Sequence, residues 1–243
     1  MMWVNTINGI RYNEDSTIMS WQLSNEPWVG DCSVYKTWIE NTAWFIKDWT
    51  KYQLVSVGNE GSITPCHTTT WNIKEVDYVT FHAWAQNWGW YSGSGPVDSA
   101  LMMAKSYILG NIPSNKPSVL EEFGLAWDSN SYDPTSPTTA WDNYYAGIFD
   151  IVYREASEGK TLSGVNFWAY GGYGRPRKNG DMWVPGDPLI GDPPHERQGW
   201  YTVYDTDKST HEVIWKYSDL MTKLRVTFDA VSYTHLRAHE TDS

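Results

Sequence analysis

Residues 18–28 read "IMSWQLSNEPW", an apolar run that ends on an amide, a carboxylate and a proline. A run of this kind is the length of a buried strand. Asn25 and Pro27 both favour turns and Glu26 could simply face water, so the ending is open to two readings: a solvated turn, or a polar group delivered to the end of a strand. A second stretch, "SVLEEFG" at 118–124, repeats the arrangement with carboxylates beside an aromatic and a glycine. Two strands that stop on carboxylates suggest a pair.

Working outward, the hydrophobic periodicity alternates between strand and helix along the whole chain. Strands are expected over 18–25, 53–58, 76–84, 116–124 and 162–172. Helices are expected over 33–52, 96–110, 138–159 and 209–224, the second ending on Gly110 as a C-cap. Such alternation argues for a parallel sheet with crossover helices, buried on both faces because its strands are apolar almost throughout. Asn25 with Glu26, His82 with Trp84, Glu122, and Trp168 all fall at the C-terminal ends of these strands. In an α/β fold of the (β/α)8 barrel type that end carries the active site. A doubly wound sheet also binds ligands there, but no GxGxxG or GxxxxGK[ST] loop follows any strand.

The chain has 243 residues and a formal net charge of -11, which argues against nucleic acid or an anionic membrane as partner and favours a neutral ligand. It carries 16 Trp, a high number for a residue that offers a flat apolar face and one donor. Trp38, Trp44, Trp49 and Trp215 fall in helical patterns and are expected in the core. Trp28, Trp71, Trp84, Trp88, Trp90, Trp127, Trp183 and Trp200 fall at strand ends or in loops, where aromatics bind ligands. Sugar rings, apolar on their faces and hydroxylated at their rims, match such surfaces. Cys32 and Cys66 have no metal-ligand spacing and are either one disulfide, if the protein is exported, or two free thiols. No stretch approaches the ~20 apolar residues of a membrane span.

Cleaving a glycosidic bond takes one carboxylic acid to protonate the leaving oxygen and one carboxylate to attack or to activate water, about 5 to 5.5 Å apart in a retaining enzyme. Glu26 and Glu122 are the candidates. The acid has to keep its proton near neutral pH through burial or a neighbouring carboxylate. Asn25 is placed to bond a sugar hydroxyl. Strand alternation lets only one of Glu121 and Glu122 face inward.

"WQLSNEPW" (21–28), "VTFHAWAQNWGWY" (79–91), "KPSVLEEFG" (116–124) and "GVNFWAYGGYGRP" (164–176) resemble, in order and spacing, the motifs of glycoside hydrolase family 5. With the stretch "GDPPHERQGWYTVYDTDKST" (191–210), they look most like its endo-β-1,4-mannanases. The resemblance covers most of residues 3–224. It implies a retaining double displacement in a (β/α)8 barrel, with Glu26 as acid/base and Glu122 as nucleophile. It also implies that Asn25 contacts the sugar, that His82 and Trp84 are the strand-six histidine and aromatic, and that Trp168 is the platform under the sugar. Taken singly, His82 is equally a satisfied core histidine and Trp168 a core aromatic. Trp88 and Arg175, inside two of the motifs, are further candidate substrate contacts, and Glu121 is a structural neighbour. The implied protein is a secreted, periplasmic or cell-surface monomer that acts on mannan, glucomannan or galactomannan without metal or cofactor. The alternatives are another β-1,4-glycan as substrate, or an inert remnant that binds glycans.

Two positions depart from the family pattern. Trp84 stands where many members carry Tyr, and Tyr173 where relatives often have an acidic residue. Because the family places its Asn-Glu-Pro motif at the end of strand four, residues 1–17 resemble the tail of the third helix. Strands four to eight of an incomplete barrel are then expected here, without the strand that bears a family Arg near the nucleophile. The catalytic domain is expected over 1–230. The final "VSYTHLRAHETDS" (231–243), with no apolar period, is expected to be a foreign or disordered tail. Its His235 and His239 lack supporting ligands for a metal.

Overall fold

A computed structural model describes residues 3–50 and 52–224. In chain order the main elements are β1 Ser20–Gln22, α1 Cys32–Trp49, β2 Leu54–Ser56, β3 Val79–Ala83, α2 Asp98–Gly110 and β4 Ser118–Phe123. They continue with α3 Thr139–Ser157, β5 Leu162–Val165, β6 Tyr170–Gly172, β7 Val203–Tyr204 and α4 Lys208–Thr222. The class is α/β, and every paired strand runs parallel to its neighbour.

β3 shows why the pattern was readable: all five of its residues are buried, as a strand covered on both faces requires. It pairs with β4, which pairs with β5, while β1 pairs with β2. Backbone bonds join the two groups, Asp77 N donating to Val55 O at 2.8 Å and His82 N to Glu60 O at 3.1 Å. Beyond β5 the chain stays beside β4, with Trp168 N donating to Phe123 O at 2.8 Å. The strand expected over 162–172 is thus divided. Its second part, β6, pairs with β7, a two-residue strand too short to leave a periodic signal.

Two cores result. The larger packs Phe81, Leu120 and Phe123 of the sheet against Trp141, Tyr144, Tyr145 and Ile148 of α3. The smaller packs Tyr35, Ile39 and Ala43 of α1 against Val55, Val57, Ile73 and Val76. Those α1 residues recur at every fourth position and so form one stripe. Asp31 caps the helix, its carboxylate accepting from Ser33 N and Val34 N. Cys32 and Cys66 form a disulfide that ties the start of α1 to the short helix His67–Asn72.

The tryptophans divide differently from expectation. Trp38, Trp44, Trp49 and Trp215 lie off the packed stripes of their helices and are exposed, while Trp127, expected to bind ligand from a loop, is in the larger core. Gly110 is the last residue of α2, and Asn111 takes the C-cap position. No helix among the described residues is long and apolar enough to cross a membrane. The boundary at 230 and the segment 231–243 lie outside the described residues.

Candidate active site

Glu26 is held by backbone geometry. After β1 the chain keeps bonding along β2: Leu23 N donates to Ser56 O, Ser24 N to Val57 O, and Glu26 N to Gly58 O at 2.8 Å. Glu26 itself has φ +46°, in the left-handed region that side chains disfavour by about 1–2 kcal/mol. The bond to Gly58 helps to hold it there. Gly58, at φ +87°, leaves room for this approach, because a Cβ on it would stand 1.9 Å from Ser24 O.

Glu122 is held by packing. It lies on β4 next to Phe123, and the register between β3 and β4 shifts beside it. Phe81 pairs with Leu120, but His82 pairs with Glu122, so Glu121 has no opposite residue. This irregularity overturns the expectation from strand alternation, since both Glu121 and Glu122 approach His82. His82 Nδ1 lies 2.6 Å from Glu26 Oε1 and 3.1 Å from Glu122 Oε2, and its Nε2 lies 3.7 Å from Glu121 Oε2.

The donor atoms of Glu26, His82 and Glu122 lie within 4.8 Å of one another, a closeness that direct bonding through the imidazole accounts for. Burial opposes a charge on His82, but the carboxylates of Glu121, Glu26 and Glu122 outweigh it and push its pKa up to about 9. Burial pushes Glu122 up to about 7, with the His82 charge pulling the other way and the Glu26 charge adding to the rise.

Asn25, Glu26, Trp84, Trp88, Glu122 and Trp168 line a common cleft of about 440 Å³. His82 is fully buried behind the two carboxylates. Trp84 and Trp168 meet nearly edge to face, with centroids 6.5 Å apart, and Tyr201 packs on Trp84 at 5.2 Å. Arg175 is elsewhere. Its guanidinium bonds Asp205 at 2.6 Å and the carbonyls of Gly172 and Gly174, and it lies over the Tyr204 ring, so its donors bind the β6–β7 region together.

Sequence reasoning missed Glu60, Asn87, Pro193, His195 and Glu196, which also line the cleft. For Glu60 a signal exists: "VSVGNE" (55–60) ends on Asn-Glu as "WQLSNE" (21–26) does, but the apolar pattern that marks the strand stops at Gly58. Burial and the Glu26 charge raise the Glu60 pKa, with the His82 charge and the Trp88 ring pulling the other way. Pro193, His195 and Glu196 come from an irregular segment organised by Asp192. Its buried carboxylate accepts from the backbone N–H groups of Gly199, Trp200 and Tyr201 and from the Thr202 hydroxyl. Nothing periodic marks such a loop.

A family model described as GH family 5 beta-mannosidase-like matches residues 1–226. Among curated relatives, mannan endo-1,4-beta-mannosidase 5 of Solanum lycopersicum is 31% identical over 191 residues, covering 68% of this chain and 44% of its own length. The glycoside hydrolase family 5 mannosidase of Rhizomucor miehei superposes with a TM-score of 0.77 at 35% identity, covering 92% of this chain and 55% of that one. A mutant of that enzyme, solved in complex with mannosyl-fructose, superposes with a TM-score of 0.74 at 34% identity and covers the same shares. The chain therefore spans less than half the length of the curated relative and a little over half of the solved mannosidase.

Proposed function

The chain belongs to the glycoside hydrolase family 5 β-mannosidase-like proteins, and from that premise we propose that it carries the two catalytic carboxylates of a retaining glycosidase acting on β-1,4-mannosidic bonds. The observation that supports this most strongly is the Glu26–His82–Glu122 cluster on the cleft, with its donor atoms within 4.8 Å. That spacing suits a carboxylate attacking the sugar directly, and is too short for the ~6.5–9.5 Å of an inverting pair.

In the first step the Glu122 carboxylate attacks the anomeric carbon. The glycosidic C–O bond breaks as Glu26 gives its proton to the leaving oxygen, and a glycosyl ester forms on Glu122. In the second step the Glu26 carboxylate takes a proton from water, whose oxygen attacks the same carbon and releases Glu122. Since burial favours a proton on Glu122, the nucleophilic role needs a cation beside it, and His82 at 3.1 Å is the cation at hand. Asn25 bonds a sugar hydroxyl, Trp168 stacks under the ring, and Trp84 and Trp88 continue the aromatic wall. The parallel strands are those of a (β/α)8 barrel, which supports sites at its strand C-termini. The protein works outside the cytoplasm, a reading supported by the Cys32–Cys66 disulfide, since such bonds persist in oxidising compartments.

Internal cleavage of mannan, glucomannan or galactomannan is supported by the name of the tomato relative. A second reading is release from chain ends, and the loop bearing Pro193, His195 and Glu196, which lines the cleft, is where such a restriction would lie. The test is reducing-sugar release and viscosity loss with soluble galactomannan, using the 243-residue chain beside Glu122→Gln and Glu26→Gln. Internal cleavage predicts a viscosity drop ahead of sugar release, with activity falling by about 10²–10⁴-fold in Glu26→Gln. Sugar release without a viscosity drop would select the chain-end reading. Mannan retention in a pull-down with no sugar released would leave only a glycan-binding remnant.

A further inference from the structure

Glu121 has no part in the steps above, yet it is a carboxylate with only 21% of its side chain exposed, directly beside the proposed nucleophile. The register shift between β3 and β4 turns it toward His82 although its neighbour points there too. Two observations say what it does. Gln22 on β1, four residues before Glu26, donates its amide N–H groups to both Glu121 oxygens at 2.7 and 2.6 Å. One amide nitrogen within bonding distance of both oxygens anchors the carboxylate in place.

The second observation is on the imidazole. His82 Nδ1 is engaged by Glu26 and Glu122, while buried Nε2 has no hydrogen-bond partner within range. The carboxylate that faces Nε2 is Glu121, at 3.7 Å.

Resting on the glycosidase reading for its consequence, we infer that Glu121 is a positioning residue: oriented by Gln22, it holds His82 as an imidazolium with Nδ1–H aimed at Glu26 and Glu122. A doubly protonated imidazole has no acceptor, so Nδ1 can only donate. It then stabilises the ionised form of Glu122 that attacks, and of Glu26 once its proton has gone to the leaving group. A neutral His82 would be free to present Nδ1 as an acceptor and hold a carboxylic proton in place. The groups facing the ring are Glu26 from the end of β1, Glu121 and Glu122 from β4, and, through its field, Glu60 after β2. Among the described residues no lysine or arginine pairs with these carboxylates, so the ring is the positive charge among them.

The test follows His82 itself. The full chain, labelled with ¹⁵N-histidine, is titrated from about pH 5 to about pH 10, and its imidazole nitrogens are read by two-bond ¹H–¹⁵N spectra. His82 is identified by the signals missing in His82→Gln. Expected is a ring protonated on both nitrogens at neutral pH in the parent chain. Glu121→Gln should lower its midpoint by about one pH unit or more, Gln22→Met should lower it by less, and Glu121→Asp should restore it. An unchanged midpoint in Glu121→Gln overturns the inference. Should that variant not fold, an unchanged midpoint in Gln22→Met does the same.

With mannan as substrate, the alkaline limb of kcat/KM should move with the midpoint while KM stays near the parent value. The spectra need no turnover. Absence of hydrolysis would therefore defeat the glycosidase reading while the His82 titration still decides on Glu121.

Discussion

Glu122 and Glu26 share one histidine, but the chain behind each is built differently. Glu122 stands on β4, where Phe123 packs among Tyr144, Tyr145 and Phe149 with ring centroids 4.9–6.3 Å apart, inside the larger core. Glu26 stands beyond β1, over the smaller core on α1, whose outer face leaves Trp44 at 61% and Phe45 at 54% exposure. With less apolar area to hold it, the Glu26 side relies on a disulfide, a cap and a glycine that admits a close backbone approach. One carboxylate is positioned by packing and the other by covalent and backbone constraint.

The largest test of that contrast is Phe123→Ala, expected to cost about 3–5 kcal/mol because the surrounding aromatics cannot close the gap. Ile39→Ala on α1 should cost nearer 2 kcal/mol, since the exposed outer face of the helix lets it settle inward. Urea unfolding of both variants measures the difference, and equal costs would break the comparison. Next is the disulfide, which closes a loop across 34 residues of sequence and should contribute about 3–4 kcal/mol through the unfolded state. On reduction, amide exchange should quicken in α1 and stay slow in α3. Equal loosening of both helices would mean that the tie does not belong to the Glu26 side.

The contrast also explains what could be read in advance. α1 was legible because Tyr35, Ile39 and Ala43 repeat at helical spacing, and β3 because Val79–Ala83 is apolar almost throughout. The helix tryptophans were misplaced because a helical pattern gives a face to every position, and only packing says which face is covered. Arg175 read as a ligand contact because its motif carries the charge, while Asp205, its partner, lies in a segment with no pattern of its own. The inward turn of Glu121 had no local sign at all. It is set by how β3 and β4 pair, a property of two strands together.

Stability against pH sharpens the comparison on the packed side. Glu122 rises from 4.5 to about 7 on folding and His82 from 6.5 to about 9, so in both cases the folded chain holds a proton the unfolded chain has lost. Stability therefore falls as pH rises, across 4.5–7 for Glu122 and across 6.5–9 for His82. Glu60, Glu196, Asp192 and Asp207, raised by burial, act in the same sense as Glu122, while His67, lowered by burial, acts against them. Glu122→Gln should flatten the lower window by about 2–3 kcal/mol, and it should also narrow the upper one, because the Glu122 carboxylate helps to hold the charge on His82. Urea midpoints at several pH values read this, and a parent profile already flat from acid to alkaline would count against the buried pair.

The smallest effect expected is also the most local. Gly58→Ala puts a Cβ 1.9 Å from Ser24 O at φ +87°, so the backbone that carries Asn25 and Glu26 must move away. The positive φ alone should cost about 1–2 kcal/mol, and the backbone shift adds to it. On the Glu122 side, Gly164→Ala meets only Val119 side-chain carbons at 3.5 and 3.6 Å, an ordinary contact, and should be close to neutral. If Glu26 is the acid proposed above and glycine geometry positions it, kcat on mannan should fall in Gly58→Ala with KM little changed, because a displaced proton donor weakens the transition state more than the bound sugar. Gly164→Ala should leave both constants alone. A Gly58→Ala chain that loses stability but keeps its kcat would show that Glu26 reaches the sugar without help from its backbone, and that the constraint on this side serves folding alone.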